Sequence, residues 1–148
     1  MIPSCCGRSS TPIRRYSLTR FVVDSSAVLH LASADIEVPA KHKLLAPTLL
    51  RSQTLSDLHE AVQRGEIPAD VARHQLARIQ RMPIRLLGDA VLRRRAWELA
   101  DRLGWAQTYN AEYVALTQLQ ADAFITLDKE LARSLKGIVE TASIDALR

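Results

Sequence analysis

Two aspartates stand at the ends of short apolar runs, one near each end of the chain. Asp24 follows the apolar residues 21–23, and Asp128 closes the run that starts at Phe124. Buried parallel strands read as unbroken apolar runs, and in open α/β sheets ligands bind where such strands end. If both runs are central parallel strands, the two carboxylates meet at one edge of a sheet, where hard oxygen ligands favour Mg²⁺ or Mn²⁺. Such an ion activates water and neutralises phosphate charge, which predicts metal-assisted phosphodiester hydrolysis.

A simpler role is open to each aspartate, that of capping the helix after its strand. An aspartate at a helix start accepts a backbone N–H of the first turn. For Asp24 or Asp128 alone, capping is the favoured interpretation. The occurrence of both carboxylates at one predicted edge favours a site.

The elements that must position these aspartates alternate along the chain from residue 20 onwards. Strands are predicted at 20–23, 43–46, 84–87, 123–128 and 138–141. Helices are predicted after each of the first four strands, with Pro47 in the first turn of the second helix because its fixed φ suits that position. The alternation predicts an α/β fold with a mostly parallel central sheet flanked by helices.

Length and composition fit one domain with a short tail. The chain has 148 residues, 47% of them hydrophobic, which is enough for one sizeable core. Residues 1–19 are polar, include three arginines and two prolines, and are expected to form a flexible basic extension before a domain at 20–148. Without a run of roughly 20 apolar residues or a signal-peptide core, we expect a soluble cytoplasmic protein with no membrane partner. Cys5 and Cys6 are too few for a disulfide or zinc framework.

The charge balance is basic but not decisive. The net charge is +4 and the isoelectric point is about 9.4, which would attract a nucleic acid backbone. An ordinary basic soluble protein has the same balance. The run Arg93–Arg95 is more simply a solvated helix face than an RNA contact, since three consecutive helical residues cannot all face one ligand. The RNA-binding residues therefore stay unassigned.

Four separated blocks follow one another in the order and spacing of a known family. They are FVVDSSA at 21–27, APTLL at 46–50, TYNAEYVAL at 108–116 and ADAFITLD at 121–128. Together they resemble the PIN-domain ribonucleases, in particular the VapC toxins of bacterial toxin–antitoxin pairs, from about residue 20 to the C-terminus. The resemblance implies a three-layer PIN-like fold and an endoribonuclease that uses Mg²⁺ or Mn²⁺. It also implies a VapB-like antitoxin partner and a homodimer.

The family pattern carries four acids, and two of its positions hold amides here. Asp24 and Asp128 match the first and last acids, whereas Gln53 and Asn110 stand at the middle two. Amides of nearly the same shape preserve packing but remove two negative charges, so metal affinity should fall. Asp57, one helical turn after Gln53, is a weak candidate replacement, while Glu112 lies about 200° around the helix from Asn110.

Two hydroxyl side chains stand close to the aspartates. Ser26 follows Asp24 by two residues, and Thr126 precedes Asp128 by two. Each can support a carboxylate or a metal-bound water, or can act only as a helix cap and a buried strand residue. The resemblance favours the supporting role for both.

Three functions remain open at this point. The first is a VapC-like, metal-dependent endoribonuclease in which Asp24, Asp128 and Asn110 hold the ion and Gln53 assists. The second is a catalytically silent PIN-like protein that binds RNA or an antitoxin. The third, a small phosphatase or response-regulator-like domain, also uses strand-end aspartates but lacks support from the four blocks.

Overall fold

The computed structural model describes residues 19–148. The predicted extension therefore lies outside the described residues, except for Thr19, which is already the first residue of a strand. Within residues 19–148, no helix is both long enough and apolar enough to cross a bilayer.

A five-stranded, wholly parallel sheet forms the centre of the fold. Its strand order is β3-β2-β1-β4-β5, so β1 is central. The predicted α/β fold is confirmed. The strands are β1 (Thr19–Val23), β2 (His42–Pro47), β3 (Ile84–Leu87), β4 (Ala123–Ile125) and β5 (Thr141–Ala142).

Within residues 19–148, six α-helices flank the sheet and a short 3-10 helix lies near the C-terminus. The helix at 69–81 packs against the helix at 25–33 as well as against the helix at 49–63. The helices are α1 (Ser25–Ser33), α2 (Leu49–Gln63), α3 (Ala69–Arg81), α4 (Ala90–Leu103), α5 (Tyr109–Gln120) and α6 (Lys129–Ser134), with the 3-10 helix at Ile144–Leu147.

The central strands are buried on both faces. Val22 and Val23 on β1 are fully buried, as are Phe124 and Ile125 on β4. Because successive strand residues point to opposite faces, helices must cover both sides of the sheet. On the α5 side, the Tyr113 ring stacks on Phe124 with 6.0 Å between ring centroids. This packing fixes α5 across β1 and β4.

Two predicted boundaries are wrong in ways that bear on the site. Pro47 is the last residue of β2 rather than part of a helix, and Thr48 is the residue before α2. β4 ends at Ile125, so Asp128 lies in the following turn and not on the strand. The ladder stops because the chain leaves the sheet at Thr126 to reach the first turn of α6.

Candidate metal centre

Asp24 stands at the carboxyl end of the central strand and its carboxylate is held by three donors. Its Oδ1 accepts the Ser26 hydroxyl at 2.6 Å and the Ala27 backbone N–H at 3.1 Å. Its Oδ2 accepts the Thr126 hydroxyl at 2.5 Å. The Ala27 bond is the helix cap expected of an aspartate here. The two hydroxyls go beyond capping, because they fix both oxygens of one carboxylate.

The hydroxyls of Ser26 and Thr126 also join the two turns that carry the aspartates. The Leu127 N–H donates to Ser26 Oγ at 2.9 Å, and the Asp128 N–H donates to Thr126 Oγ1 at 3.1 Å. Thr126 therefore donates to Asp24 while it accepts from the backbone of Asp128. A single side chain thus sets the position of one aspartate relative to the other.

Asp128 is exposed and caps α6. Its Oδ1 accepts the backbone N–H groups of Glu130 at 3.0 Å and Leu131 at 3.1 Å. No donor within residues 19–148 contacts its Oδ2. Capping and a site are therefore compatible, since the cap uses one oxygen and leaves the other for a ligand.

The Gln53 side chain on α2 is held by a buried tyrosine. The Tyr113 hydroxyl donates to Gln53 Oε1 at 2.5 Å, and Tyr113 itself is only 1% exposed. Burial, with smaller contributions from the carboxylates of Asp24, Glu112 and Asp57, raises the pKa of the Tyr113 phenol. The phenol therefore stays a neutral donor. Gln53 has a single oxygen that can face a cation, and Tyr113 shares it.

An open cavity of about 740 Å³ collects three of the four predicted residues. Gln53, Asn110 and Asp128 all line it, and Asn110 is exposed in the first turn of α5. Asp24 does not line this cavity but adjoins it through Thr126 and the Asp128 turn. The remaining lining comes from the α4–α5 loop, from the start of α5 and from α6, with Trp105, Tyr109, Glu130 and Ser134 among the residues.

The two other acids considered for the site, Asp57 and Glu112, do not line the cavity that Gln53, Asn110 and Asp128 share. Glu112 is half-buried, and burial raises the pKa of its carboxyl although Arg93 opposes the change. Tyr113 was not predicted as a site residue. The sequence signal that could have indicated it is its position three residues after Asn110, because residues three apart are neighbours on a helix.

The donors in this region suit a hard cation in kind, but carry little charge. Within the part of the chain that the structure describes, no three or more Asp, Glu, His or Cys side chains come together as a metal site. Carboxylate and amide oxygens are the ligands that Mg²⁺ accepts. The groups that can hold an ion here are Asp24, Asp128 and Asn110, with Gln53 beside them. Of these four groups, only Asp24 and Asp128 carry a negative charge, and Glu130 is a further acid on the cavity lining.

Two solved structures are similar to this chain over nearly its whole length. The crystal structure of PAE2754 from Pyrobaculum aerophilum covers 88% of this chain and 94% of its own, with a TM-score of 0.66 and 21% identity. VapBC-1 from nontypeable Haemophilus influenzae covers 86% of this chain and 99% of its own, with a TM-score of 0.57 and 9% identity. The fold is PIN-like.

The PIN-like fold predicted from the four sequence blocks is thus confirmed as a fold. No family model and no curated protein sequence matches the chain. At 21% and 9% identity the similarity shows architecture alone. The roles of Asp24, Gln53, Asn110 and Asp128 therefore depend on their own geometry in this PIN-like domain.

Proposed function

We propose that this PIN-like protein is a VapC-like endoribonuclease that hydrolyses RNA phosphodiester bonds with a divalent metal ion, Mg²⁺ or Mn²⁺, and with weakened activity. The observation that carries the proposal is the Asp24 carboxylate, which is fixed at the end of the central strand and linked through Thr126 to the turn of Asp128. Fixed carboxylates at such a strand end are where an α/β sheet can bind a cation. The fold similarity to VapBC-1 supports the same class.

The protein's own groups divide the work as follows. Asp24, Asp128 and Asn110 would hold the ion, which when bound supplies an activated water and charge neutralisation for the scissile phosphate. Ser26 and Thr126 keep the Asp24 oxygens oriented and prevent their rotation. Tyr113 holds the oxygen of Gln53, so the amide N–H groups of Gln53 are left to donate to a phosphate oxygen. In this proposal the RNA strand would enter the open cavity of about 740 Å³.

Weak activity follows from the charge of the donors. A unit charge pair at roughly 4 Å and an effective dielectric near 20 is worth about 4 kcal/mol, but desolvation and relief of carboxylate repulsion offset much of that. Two amides in place of acids then lower the affinity for the ion by about tenfold to several hundredfold. The protein would need more free Mg²⁺ than a four-acid site, or would favour Mn²⁺.

Partners follow from the same class. VapBC-1 is a solved structure of similar fold, which supports a VapB-like antitoxin as a partner of this chain. A homodimer in the cytoplasm with RNA as the substrate completes the proposal. Co-expression with the product of an adjacent small gene, followed by size-exclusion chromatography, tests the partner without any assay of activity.

Cleavage of a labelled RNA with Mg²⁺ or Mn²⁺ tests the enzymatic proposal. The natural protein should cut slowly, and Asp24→Asn should abolish cutting because it removes one of two carboxylates. Asp101→Asn is the matched control, since Asp101 is exposed on α4 and makes no side-chain hydrogen bond within residues 19–148. Equal cleavage by the natural protein and Asp24→Asn would mean that the nuclease activity does not come from this site.

A catalytically silent protein that binds RNA or an antitoxin is the second candidate. The observation that favours it is the lack of any cluster of three acidic or metal-binding side chains among residues 19–148. The variant Gln53→Glu/Asn110→Asp separates the two candidates. If the natural protein is inert in both metals and the double variant cuts, the amides silence the site. If neither cuts, the metal-nuclease proposal is wrong.

A further inference from the structure

Three basic residues on neighbouring strands lie towards the amino-terminal side of the sheet, away from the candidate metal centre. Arg20 on β1 is paired with Lys43 on β2, and Leu45, two residues beyond Lys43, is paired with Arg85 on β3. Side chains two residues apart on a strand share a face, and paired residues of neighbouring strands also share one. Arg20, Lys43 and Arg85 therefore project from the same face, and we call them the basic patch.

This face is the one covered by α5. Phe124 stacks on Tyr113 of α5, Val22 is paired with Phe124, and Arg20 is two residues before Val22. α5 ends at Gln120, and Gln120 lines a cavity of about 390 Å³ together with the three cations. The helix therefore stops at the edge of the basic patch and leaves Arg20, Lys43 and Arg85 exposed.

The basic patch has no internal charge partner among the described residues. Within residues 19–148 the carboxylates that lie within 4.0 Å of a basic side chain pair with Arg64, Arg78, Arg95 and Arg148. One acid, Asp122, contacts Arg20, but through the main chain: its Oδ2 accepts the backbone N–H of Arg20 at 2.8 Å. Asp122 thus binds the main chain and leaves the Arg20 guanidinium available.

The fold itself does not require these residues. Strands of a covered parallel sheet are normally near-continuous apolar runs, yet three neighbouring strands each place a cation on one face here. Adjacent strands are about 4.8 Å apart, so Arg20 and Lys43 leave the sheet side by side, and Arg85 lies on the next strand of the same face. Neighbouring, exposed, unpaired cations are favourable when a polyanion covers them, because each phosphate contact then releases condensed counterions.

We propose that the basic patch binds the phosphate backbone of an RNA strand as a second contact region, separate from the candidate metal centre. Arg20 lies near the start of β1 and Asp24 directly follows its last residue, so four residues of extended chain, about 13 Å, separate them. The patch would therefore anchor RNA beyond the reach of the metal site. Only the choice of RNA as the ligand rests on the proposed function.

The test measures binding of the full chain to a fluorescent 12-nucleotide RNA in EDTA, where a divalent-metal nuclease cannot cut. The variant Arg20→Gln/Lys43→Gln/Arg85→Gln should bind at least tenfold more weakly. Its plot of log affinity against log salt should be shallower by about 2, since each lost phosphate contact on a single strand removes about 0.7. Circular dichroism checks that the variant is folded.

The matched control is Arg73→Gln/Arg102→Gln/Lys136→Gln, which removes the same charge from exposed positions elsewhere. It should change affinity less than threefold. Equal losses in both triple variants, or unchanged binding by the basic-patch variant, would overturn the proposal, as would failure of the natural protein to bind. A mononucleotide that binds as tightly as the 12-nucleotide strand would also overturn it, because the ligand would then be a small phosphate. If the natural protein binds RNA in EDTA through the basic patch but does not cut RNA with Mg²⁺ or Mn²⁺, the proposed function is contradicted and the basic patch is still supported.

Discussion

The candidate site contains two groups of side chains that are built differently. The aspartate group, Asp24 with Ser26, Thr126 and Asp128, is negatively charged and joined by hydroxyl hydrogen bonds across two turns. The amide group, Gln53 and Asn110, is neutral, and only Gln53 has a described side-chain partner, the Tyr113 hydroxyl. Both groups reach the same open cavity through Gln53, Asn110 and Asp128.

The difference shows that position and charge can be separated in one site. The amide group lines the cavity with uncharged side chains, of which Gln53 is held by Tyr113. The aspartate group keeps the charge that attracts a cation. Variants that alter one property at a time therefore tell which of the two limits function.

The largest effect should be the loss of RNA cleavage in Asp128→Ala, compared with the same change at another capping aspartate, Asp89. Asp89 caps α4 by accepting the Leu92 N–H at 2.9 Å, as Asp128 caps α6, but Asp89 is not in the cavity. Asp89→Ala and Asp128→Ala should each lower the free energy of unfolding by about 1 kcal/mol, measured by urea denaturation. Only Asp128→Ala should also reduce RNA cleavage, by about 100-fold. Equal cleavage by the two variants would limit Asp128 to capping.

Removing the two hydroxyls should disturb the aspartate group without changing its charge. Ser26→Ala/Thr126→Val leaves Asp24 free to rotate, and cleavage should fall by about 10-fold to 100-fold, as expected when groups that orient a ligand are lost. Ser33→Ala/Thr117→Val is the matched control, because those hydroxyls donate to carbonyls of their own helices, His30 and Tyr113. A similar loss in the control pair would point to general destabilisation.

The bond that orients the amide group should contribute to stability more than to catalysis. Tyr113→Phe removes the donor to Gln53 and should lower the free energy of unfolding by about 1 kcal/mol. In a Gln53→Glu background, Tyr113→Phe should lower the free energy of unfolding by a larger amount, since a hydrogen bond to a carboxylate is charge-assisted. Tyr109→Phe is the control: Tyr109 is 51% exposed, and its change should not alter the free energy of unfolding in either background. Equal costs in the two backgrounds would mean that the phenol does not contact position 53.

The smallest effect concerns Glu112, beside but outside the cavity. Burial raises the pKa of its carboxyl in the folded state, with Arg93 opposing. Its contribution to stability is therefore fully present below the unfolded value of about 4.3 and is lost as pH rises through the higher folded value. Thermal melting should show that Glu112→Gln slightly stabilises the protein at pH 7 but does not stabilise it at pH 4. A gain in stability that persists at pH 4 would contradict this explanation.

Much of this fold follows from patterns local to the sequence. The apolar runs predicted the strands, and the capping role considered for Asp24 and Asp128 at helix starts is present in both. Pro47 was misplaced because the residues around it pair with β3, a contact that a local pattern does not contain. Asp128 was placed on a strand because residues 123–128 are mostly apolar, whereas Leu127 is 40% exposed in a turn.

The contacts that define the site needed the tertiary structure. Thr126 meets Asp24 across 102 residues of sequence, and Tyr113 meets Gln53 across 60. Such contacts depend on the order of strands and on the packing of α5, which the spacing of residues does not determine. The basic patch was missed for the same reason, because three single cations become neighbours only through strand register.

The most direct test of the account is the affinity of the protein for Mn²⁺, measured by isothermal titration calorimetry for the natural chain, Asp24→Asn and Gln53→Glu/Asn110→Asp. The natural chain should bind Mn²⁺ weakly, and Asp24→Asn should not bind it. The double variant should bind Mn²⁺ about tenfold to several hundredfold more tightly than the natural chain, because two added carboxylates attract the cation. Equal affinity of the natural chain and the double variant would contradict a metal site at these residues, as would Mn²⁺ binding that survives Asp24→Asn.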